Sequence, residues 1–214
     1  VFGRFDGETW SQLTDLVSPF PPLQVRYDQQ SPPVNYAVTM EPSNRSWLFA
    51  LEAPVSLGPH LAGQANMGPD MQLTGRDSPG QRIRYEIESR LDFHFGLNET
   101  PATLRNWLAL PAGYNPRTMA LAAQWRAGET DPVLPVQRAL AMFRQQPFRY
   151  TMTPPPLGRN SVDEFLFDTR AGFCEHYAGS LVVLMRALGV PARVVTGYQG
   201  AEANPDDDYY IVRQ

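Results

Sequence analysis

The sequence has no lysine. All 18 of its basic residues are arginine, and exchanging lysine for arginine on a surface has little effect on fold. The bias reads as one of genome composition, and it leaves the chain with no lysine amine through which it could be cross-linked. Positive charge is not in excess either: with 22 acidic residues the net charge is −4, which excludes the basic footprint of a nucleic-acid binder. There is one cysteine, Cys174, so no internal disulfide can form and cysteine usage says nothing of the compartment. No stretch reaches the roughly 18 consecutive apolar residues that a membrane helix needs, and the first residues, Val1 to Asp6, do not read as a signal peptide. What remains is a 214-residue chain, 43% apolar, long enough for one large domain or two small ones and apolar enough for a packed core.

The single cysteine lies in Asp168-Thr169-Arg170-Ala171-Gly172-Phe173-Cys174-Glu175-His176-Tyr177-Ala178, at the point where a helix should begin. Tyr177, Ala178, Leu181, Val182, Met185 and Leu188 recur at three- and four-residue steps, the buried stripe of a helix, and Gly189 stops it. Gly172 permits a tight turn into the helix, so Cys174 is expected in or just before the first turn, among N–H groups that have no helical partner. The positive end of a helix favours the thiolate, which is the nucleophilic form. A lone cysteine is more often a small buried apolar residue, but a structural cysteine needs no glycine-led turn at a helix start. Past the helix, Leu188-Gly189-Val190-Pro191-Ala192-Arg193-Val194-Val195-Thr196-Gly197-Tyr198 predicts a tight turn into a buried strand.

The two motifs together, in this order and at this separation, resemble the transglutaminase-like family of papain-type cysteine enzymes. The resemblance implies that Cys174 is a nucleophile attacking an amide, typically of glutamine, with its own backbone N–H as an oxyanion donor. It implies a histidine and an aspartate on later strands, a protein or peptide substrate, an amine or water as acceptor, and no metal or organic cofactor. In the family these two triad members lie beyond a strand like Tyr209 to Gln214, so the chain is expected to be a fragment holding the nucleophile without its base, inactive as given. His176 does not take that place, because two positions along a helix turn a side chain by about 200°; it reads as a surface or packing histidine. Asp163 and Glu164 lie near Cys174 in sequence, but ionised carboxylates are too weakly basic for the role. A cysteine protease or amidase acting on envelope peptides, and an inert binding module, are the alternatives to a transferase.

The first half has the texture of strands and turns. Asp6-Gly7 is a hairpin turn between aromatics. Val34 to Met40, Trp47 to Glu52 and Arg82 to Leu91 read as strands, the last with Ile83, Tyr85 and Ile87 on one face. Val55 to Met71, rich in glycine and proline, reads as an irregular connection with at most one short strand. Phe-Asp-Gly-Glu-Thr-Trp from Phe5, Tyr-Ala-Val-Thr-Met-Glu-Pro from Tyr36 and Trp-Leu-Phe-Ala-Leu from Trp47 resemble the β-rich region that precedes the transglutaminase core in bacterial inner-membrane proteins of the TgpA type. That resemblance implies a membrane-attached protein whose present region faces the periplasm.

In the second half, Leu104 to Leu110 reads as an extended apolar segment. Asn115 should cap a helix from Arg117 to Ala127 with proline at its first position, and Val133 to Gln146 a second helix with Val136, Leu140 and Phe143 facing the core. Pro147 to Met152 reads as a strand broken by Pro154-Pro155-Pro156, a rigid linker or the edge of a substrate cleft. Asp206-Asp207-Asp208 reads as a solvated hairpin tip, since adjacent aspartates lack the alternating oxygen pattern of a calcium loop. The expected fold is α+β: a sandwich-like β module over 1–97, then the N-terminal part of a papain-like transglutaminase core over 98–214.

Overall fold

The structure, a computed structural model, describes residues 1–12, 24–28, 30–68, 71–129, 131 and 133–213. The chain divides into two compact units, Leu16–Thr100 and a second formed by Val1–Asp15 together with Pro101–Gln214. It is a mixed α and β fold.

In the first unit, the strand Val34–Met40 runs antiparallel to Ile83–Ser89, with Val34 opposite Ser89 and Met40 opposite Ile83. Pro54–Leu57 pairs with the other edge of Ile83–Ser89. A second antiparallel sheet sets Leu73–Gly75 between Trp47–Leu48 and Ala65–Met67. Strand alternation turns Met40, Tyr85 and Ile87 from the first sheet and Leu48 and Leu73 from the second into one cluster, so two small sheets share a core. The strand expected from Trp47 to Glu52 ends at Leu48. Its next backbone donors are taken by side chains instead of a neighbouring strand: Phe49 N–H donates to the Tyr85 hydroxyl at 2.9 Å and Leu51 N–H to the Tyr36 hydroxyl at 2.7 Å. Residues 55–71 hold two strands where composition suggested at most one, because pairing partners outweigh the glycines.

The buried Tyr85 hydroxyl also donates to Phe49 O at 2.9 Å, and burial pushes it up from 10.0 to about 12. The unfolded chain therefore loses this proton first as pH rises. The stabilisation is whole below pH 10 and drains away as pH climbs from 10 to about 12, a loss of about 2–3 kcal/mol. Urea denaturation at steps across that window should show the loss in the native chain, and Tyr85→Phe should remove that part of the slope.

In the second unit, helices α1 (Pro101–Asn106), α2 (Pro116–Arg126), α3 (Val133–Gln145), α4 (Ser161–Asp163) and α5 (Cys174–Ala187) are joined by a π-helical turn at Glu164–Thr169 and short strand pairs. The apolar face of α5 supplies Val183, Leu184, Met185 and Ala187 to a core shared with Ala122 of α2, Ala139 and Met142 of α3, Val162 of α4, and Phe165 and Leu166 of the π-helical turn. The expected extended segment at Leu104 to Leu110 begins instead as α1: proline at its first position presets the helical φ, and hydrogen bonds from Trp107 N–H to Leu104 O and Leu108 N–H to Arg105 O close its end. On α3 the inward residues are Pro135, Ala139 and Met142, flanked by Val136 and Phe143, whereas Leu140, expected inside, is exposed.

Two helix starts cap each other. Asp163 is buried, and its carboxylate accepts Arg117 N–H at 2.8 Å, Thr118 N–H at 2.7 Å and the Thr118 hydroxyl at 2.6 Å, which satisfies orphan donors of α2 with a negative charge at its positive end. In return Asn115, the residue before α2, accepts Val162 N–H at 3.1 Å and Asp163 N–H at 3.3 Å on Oδ1. Asn115 thus sits where a cap was expected but caps α4 rather than its own helix.

Residues 1–97 share one texture, yet by packing Val1–Asp15 joins the helical unit. The hairpin at Asp6-Gly7 forms as expected, pairing Arg4–Phe5 with Trp10–Ser11. Gly7, at φ +117°, lies so close to Tyr114 that an added Cβ would fall 2.4 Å from its ring. The buried strand expected after α5 does not form. Val194 makes a single antiparallel bridge to Phe2, with bonds of 2.8 and 3.0 Å, and Val195 is 72% exposed; β-branched residues favour a strand only where a partner is present along its length. Glu202–Ala203 and Tyr210–Ile211 form a hairpin whose tip carries the exposed Asp206, Asp207 and Asp208.

Candidate active site

Cys174 is the first residue of α5, and it is exposed. Its position follows from the path into the helix. The π-helical turn ends at Arg170, at φ 46°, and the buried pair Ala171–Gly172 then runs parallel to Arg149–Tyr150, held by Arg149 N–H to Arg170 O at 2.8 Å and Thr151 N–H to Gly172 O at 2.9 Å. Phe173 is extended, at φ −113° and ψ −172°, and delivers Cys174 from a buried strand to a surface helix start in one step. The N–H groups of Cys174 and Glu175 have no intrahelical acceptor and no backbone acceptor among the described residues. An exposed thiol beside N–H donors that lack a backbone acceptor among the described residues could supply two of the parts that acyl transfer uses, a nucleophile and donors for the oxyanion it creates.

Beneath the turn is an aromatic cluster. The fully buried Phe165 ring centres on Phe148 at 5.5 Å, Tyr177 at 5.1 Å and His176 at 5.6 Å, which anchors the turn. Phe167 is half-buried under the Arg117 guanidinium at 4.6 Å. Burial also pushes the Tyr177 hydroxyl up from its ordinary value. Tyr150, 62% exposed, lies against Tyr177 with ring centres 6.2 Å apart, and Met152, 70% exposed, follows it. The strand expected from Pro147 to Met152 is confined to Arg149–Tyr150.

Neither acid near Cys174 in sequence is placed as a base. Asp163 is committed to α2, and Glu164 accepts Gly158 N–H at 2.6 Å, tying down the end of the proline-rich loop. His176 Nδ1 accepts Phe173 N–H at 3.4 Å. The other two histidines, His60 and His94, belong to the other unit. No group of residues able to hold a metal ion occurs among the described residues. The structure therefore brings together Cys174, its open N–H donors and the aromatic turn.

Comparison with known proteins places the chain in a family. The profile described as the transglutaminase-like superfamily matches residues 119–213, and that of the TgpA N-terminal domain matches residues 1–95. The crystal structure of the periplasmic domain of TgpA from Pseudomonas aeruginosa bound to ethylmercury is 38% identical, with a TM-score of 0.84, over 99% of this chain and 72% of that one. The chain belongs to the transglutaminase-like superfamily. A second crystal structure of the same TgpA domain gives 37% identity and a TM-score of 0.84. This transglutaminase-like chain thus corresponds to the periplasmic domain of that protein. Among curated proteins, the protein-glutamine gamma-glutamyltransferase of Pseudomonas aeruginosa is 38% identical over 211 residues, which is 99% of this chain and 30% of that protein. The chain therefore spans less than a third of that relative's length. The uncharacterized protein YebA of Bacillus subtilis is 43% identical over 51 residues, 24% of the chain and 7% of its own length.

Proposed function

We propose that this chain carries the nucleophile of a protein-glutamine γ-glutamyltransferase that works at the bacterial cell envelope, attached to the inner membrane by other parts of the protein. The observation that carries the reading is the placement of Cys174: exposed and first in its helix, with no backbone acceptor among the described residues for the N–H groups of positions 174 and 175. The Cys174 sulfur attacks the side-chain carbonyl of a glutamine, and the carbonyl oxygen gains negative charge that the Cys174 N–H receives. The C–N bond breaks, ammonia leaves with a proton, and a thioester remains. A primary amine then attacks the thioester carbon, a new amide forms, and the thiol is released.

The proton transfers need a base poised near neutral pH. The reading assigns them to a histidine oriented by an aspartate, both supplied by sequence following Gln214. The two domains are taken as the β module of 1–97 and the front of the core over 98–214. Because Cys174 is exposed, water also reaches the thioester, which favours hydrolysis as the second reading. The test uses the full-length protein and its Cys174→Ala variant, a glutamine peptide and a primary amine, with products weighed. A peptide that gains the amine only when Cys174 is present supports the transferase; a gain of about 1 Da, or cleavage, selects the hydrolase. Equal products from both proteins sink the role of Cys174, and no product from either favours a binding module.

A further inference from the structure

His176 is the one imidazole in the helical unit, and the reaction has no direct use for it. It is nevertheless the residue that grips the turn before Cys174. Phe173 N–H donates to Nδ1 of the His176 side chain at 3.4 Å, while Phe173 C=O accepts the main-chain N–H groups of His176 at 3.0 Å and Tyr177 at 3.3 Å. Accepting at Nδ1 leaves the ring proton on Nε2. The ring stands edge-on to Phe173 with centres 4.5 Å apart and packs on Phe165. It also fills the space in front of Gly172, where an added Cβ would meet His176 Cγ at 2.6 Å and Cβ at 2.7 Å. Position 176 is the third residue of α5, where glutamate or glutamine commonly reaches back to the N–H of the capping residue. Here an imidazole takes that part.

The Phe173 carbonyl and the Cys174 N–H belong to one planar peptide unit. The carbonyl is turned into the helix by the main-chain N–H groups of His176 and Tyr177, at 3.0 and 3.3 Å, which aims the Cys174 N–H the opposite way, out of the helix start and toward the place where the oxyanion forms. The His176 side chain adds the bond to Phe173 N–H; it fixes the preceding peptide unit, and with it the rotation of Phe173 that sets the orientation of the next. We infer that His176 is a positioning residue for the oxyanion donor, acting through Phe173 rather than on the substrate. This rests on the reading of Cys174 as the nucleophile. An oxyanion donor acts on the transition state more than on the bound substrate, so loosening it lowers kcat and leaves KM nearly unchanged.

The experiment measures amine incorporation into a glutamine peptide by the full-length protein, its His176→Phe and His176→Gln variants, and Cys174→Ala as control. His176→Phe keeps an aromatic ring but has no acceptor, and kcat should fall about tenfold with KM within about twofold, the size expected for one hydrogen bond that acts in the transition state. His176→Gln restores an acceptor at that helix position and should recover most of the loss. Wild-type kcat in His176→Phe overturns the inference, as does a His176→Gln variant as slow as His176→Phe while the thermal midpoints of all three agree. Should His176→Phe fail to fold, His176→Gln decides alone: near wild-type kcat supports the role, and a tenfold loss in a folded protein refutes it. Activity surviving in Cys174→Ala would instead overturn the function on which the inference rests.

Discussion

Cys174→Ser should lower ammonia release from a glutamine peptide by roughly 10³-fold or more, with the folded state intact. A thiol ionises far more readily than a serine hydroxyl and is intrinsically the better nucleophile. In the full-length protein a hydroxyl in the same place needs its proton removed during the attack itself, so the histidine of the proposed mechanism would face a much weaker acid than the thiol; neither Asp163, engaged by three donors of α2, nor His176 Nδ1, engaged by Phe173 N–H, stands ready to assist. The exchange of one atom on an exposed side chain falls among surface substitutions that change stability by about 0.5 kcal/mol or less. Steady-state ammonia release together with a thermal melt checks both halves. Undiminished release with an unchanged melt would remove Cys174 from the chemistry.

Arg186→Leu should destabilise the helical unit by about 3 kcal/mol or more. Arg186 is only 3% exposed. Its planar fork reaches Ala192 O at 2.8 Å from Nε, Ala109 O at 3.0 Å from Nη1 and Gly3 O at 2.9 Å from Nη2, and its guanidinium lies 5.1 Å from the Trp10 ring centre. Burial pulls its pKa from 12.5 down to about 10, so it stays charged at neutral pH and its charge is compensated by carbonyl dipoles. Leucine leaves those three carbonyls without this donor, at about 1–3 kcal/mol for each one buried; relief from desolvating a cation offsets part of the sum. The loss should appear as a lower urea midpoint followed by tryptophan fluorescence, Trp10 being next to the change. Arg186→Lys should recover little, since an ammonium cannot present the same flat fork. A midpoint unmoved by Arg186→Leu would show that the three chain segments hold together without it.

These two residues also mark what can be read in advance. The placement of Cys174 at a helix start was legible because its evidence is local: a glycine, the cysteine and an apolar period of three and four residues together mark where the helix begins. The strands Val34–Met40 and Ile83–Ser89 were legible for the same reason, since alternation is a property of adjacent residues. Arg186 was not. It lies inside a helical stripe, and nothing nearby in sequence says that its partners are Gly3, Ala109 and Ala192. Asp163 resembles an acid near the nucleophile, and only the fold shows it closing the start of α2 across 45 positions. The expected strand after α5 failed on the same ground: the β-branched run is real, but its partner is a single residue just before the first hairpin, Phe2.

One measurement bears most directly on Cys174 as the nucleophile. The full-length protein would be mixed with a glutamine peptide in the absence of any amine, quenched in acid within a turnover, digested and weighed. The peptide containing Cys174 should be heavier by the substrate less one ammonia, the added mass being lost on treatment with hydroxylamine, as a thioester requires. Ammonia or product forming with Cys174 unmodified at every time point, or the adduct lodged on another residue, would contradict it.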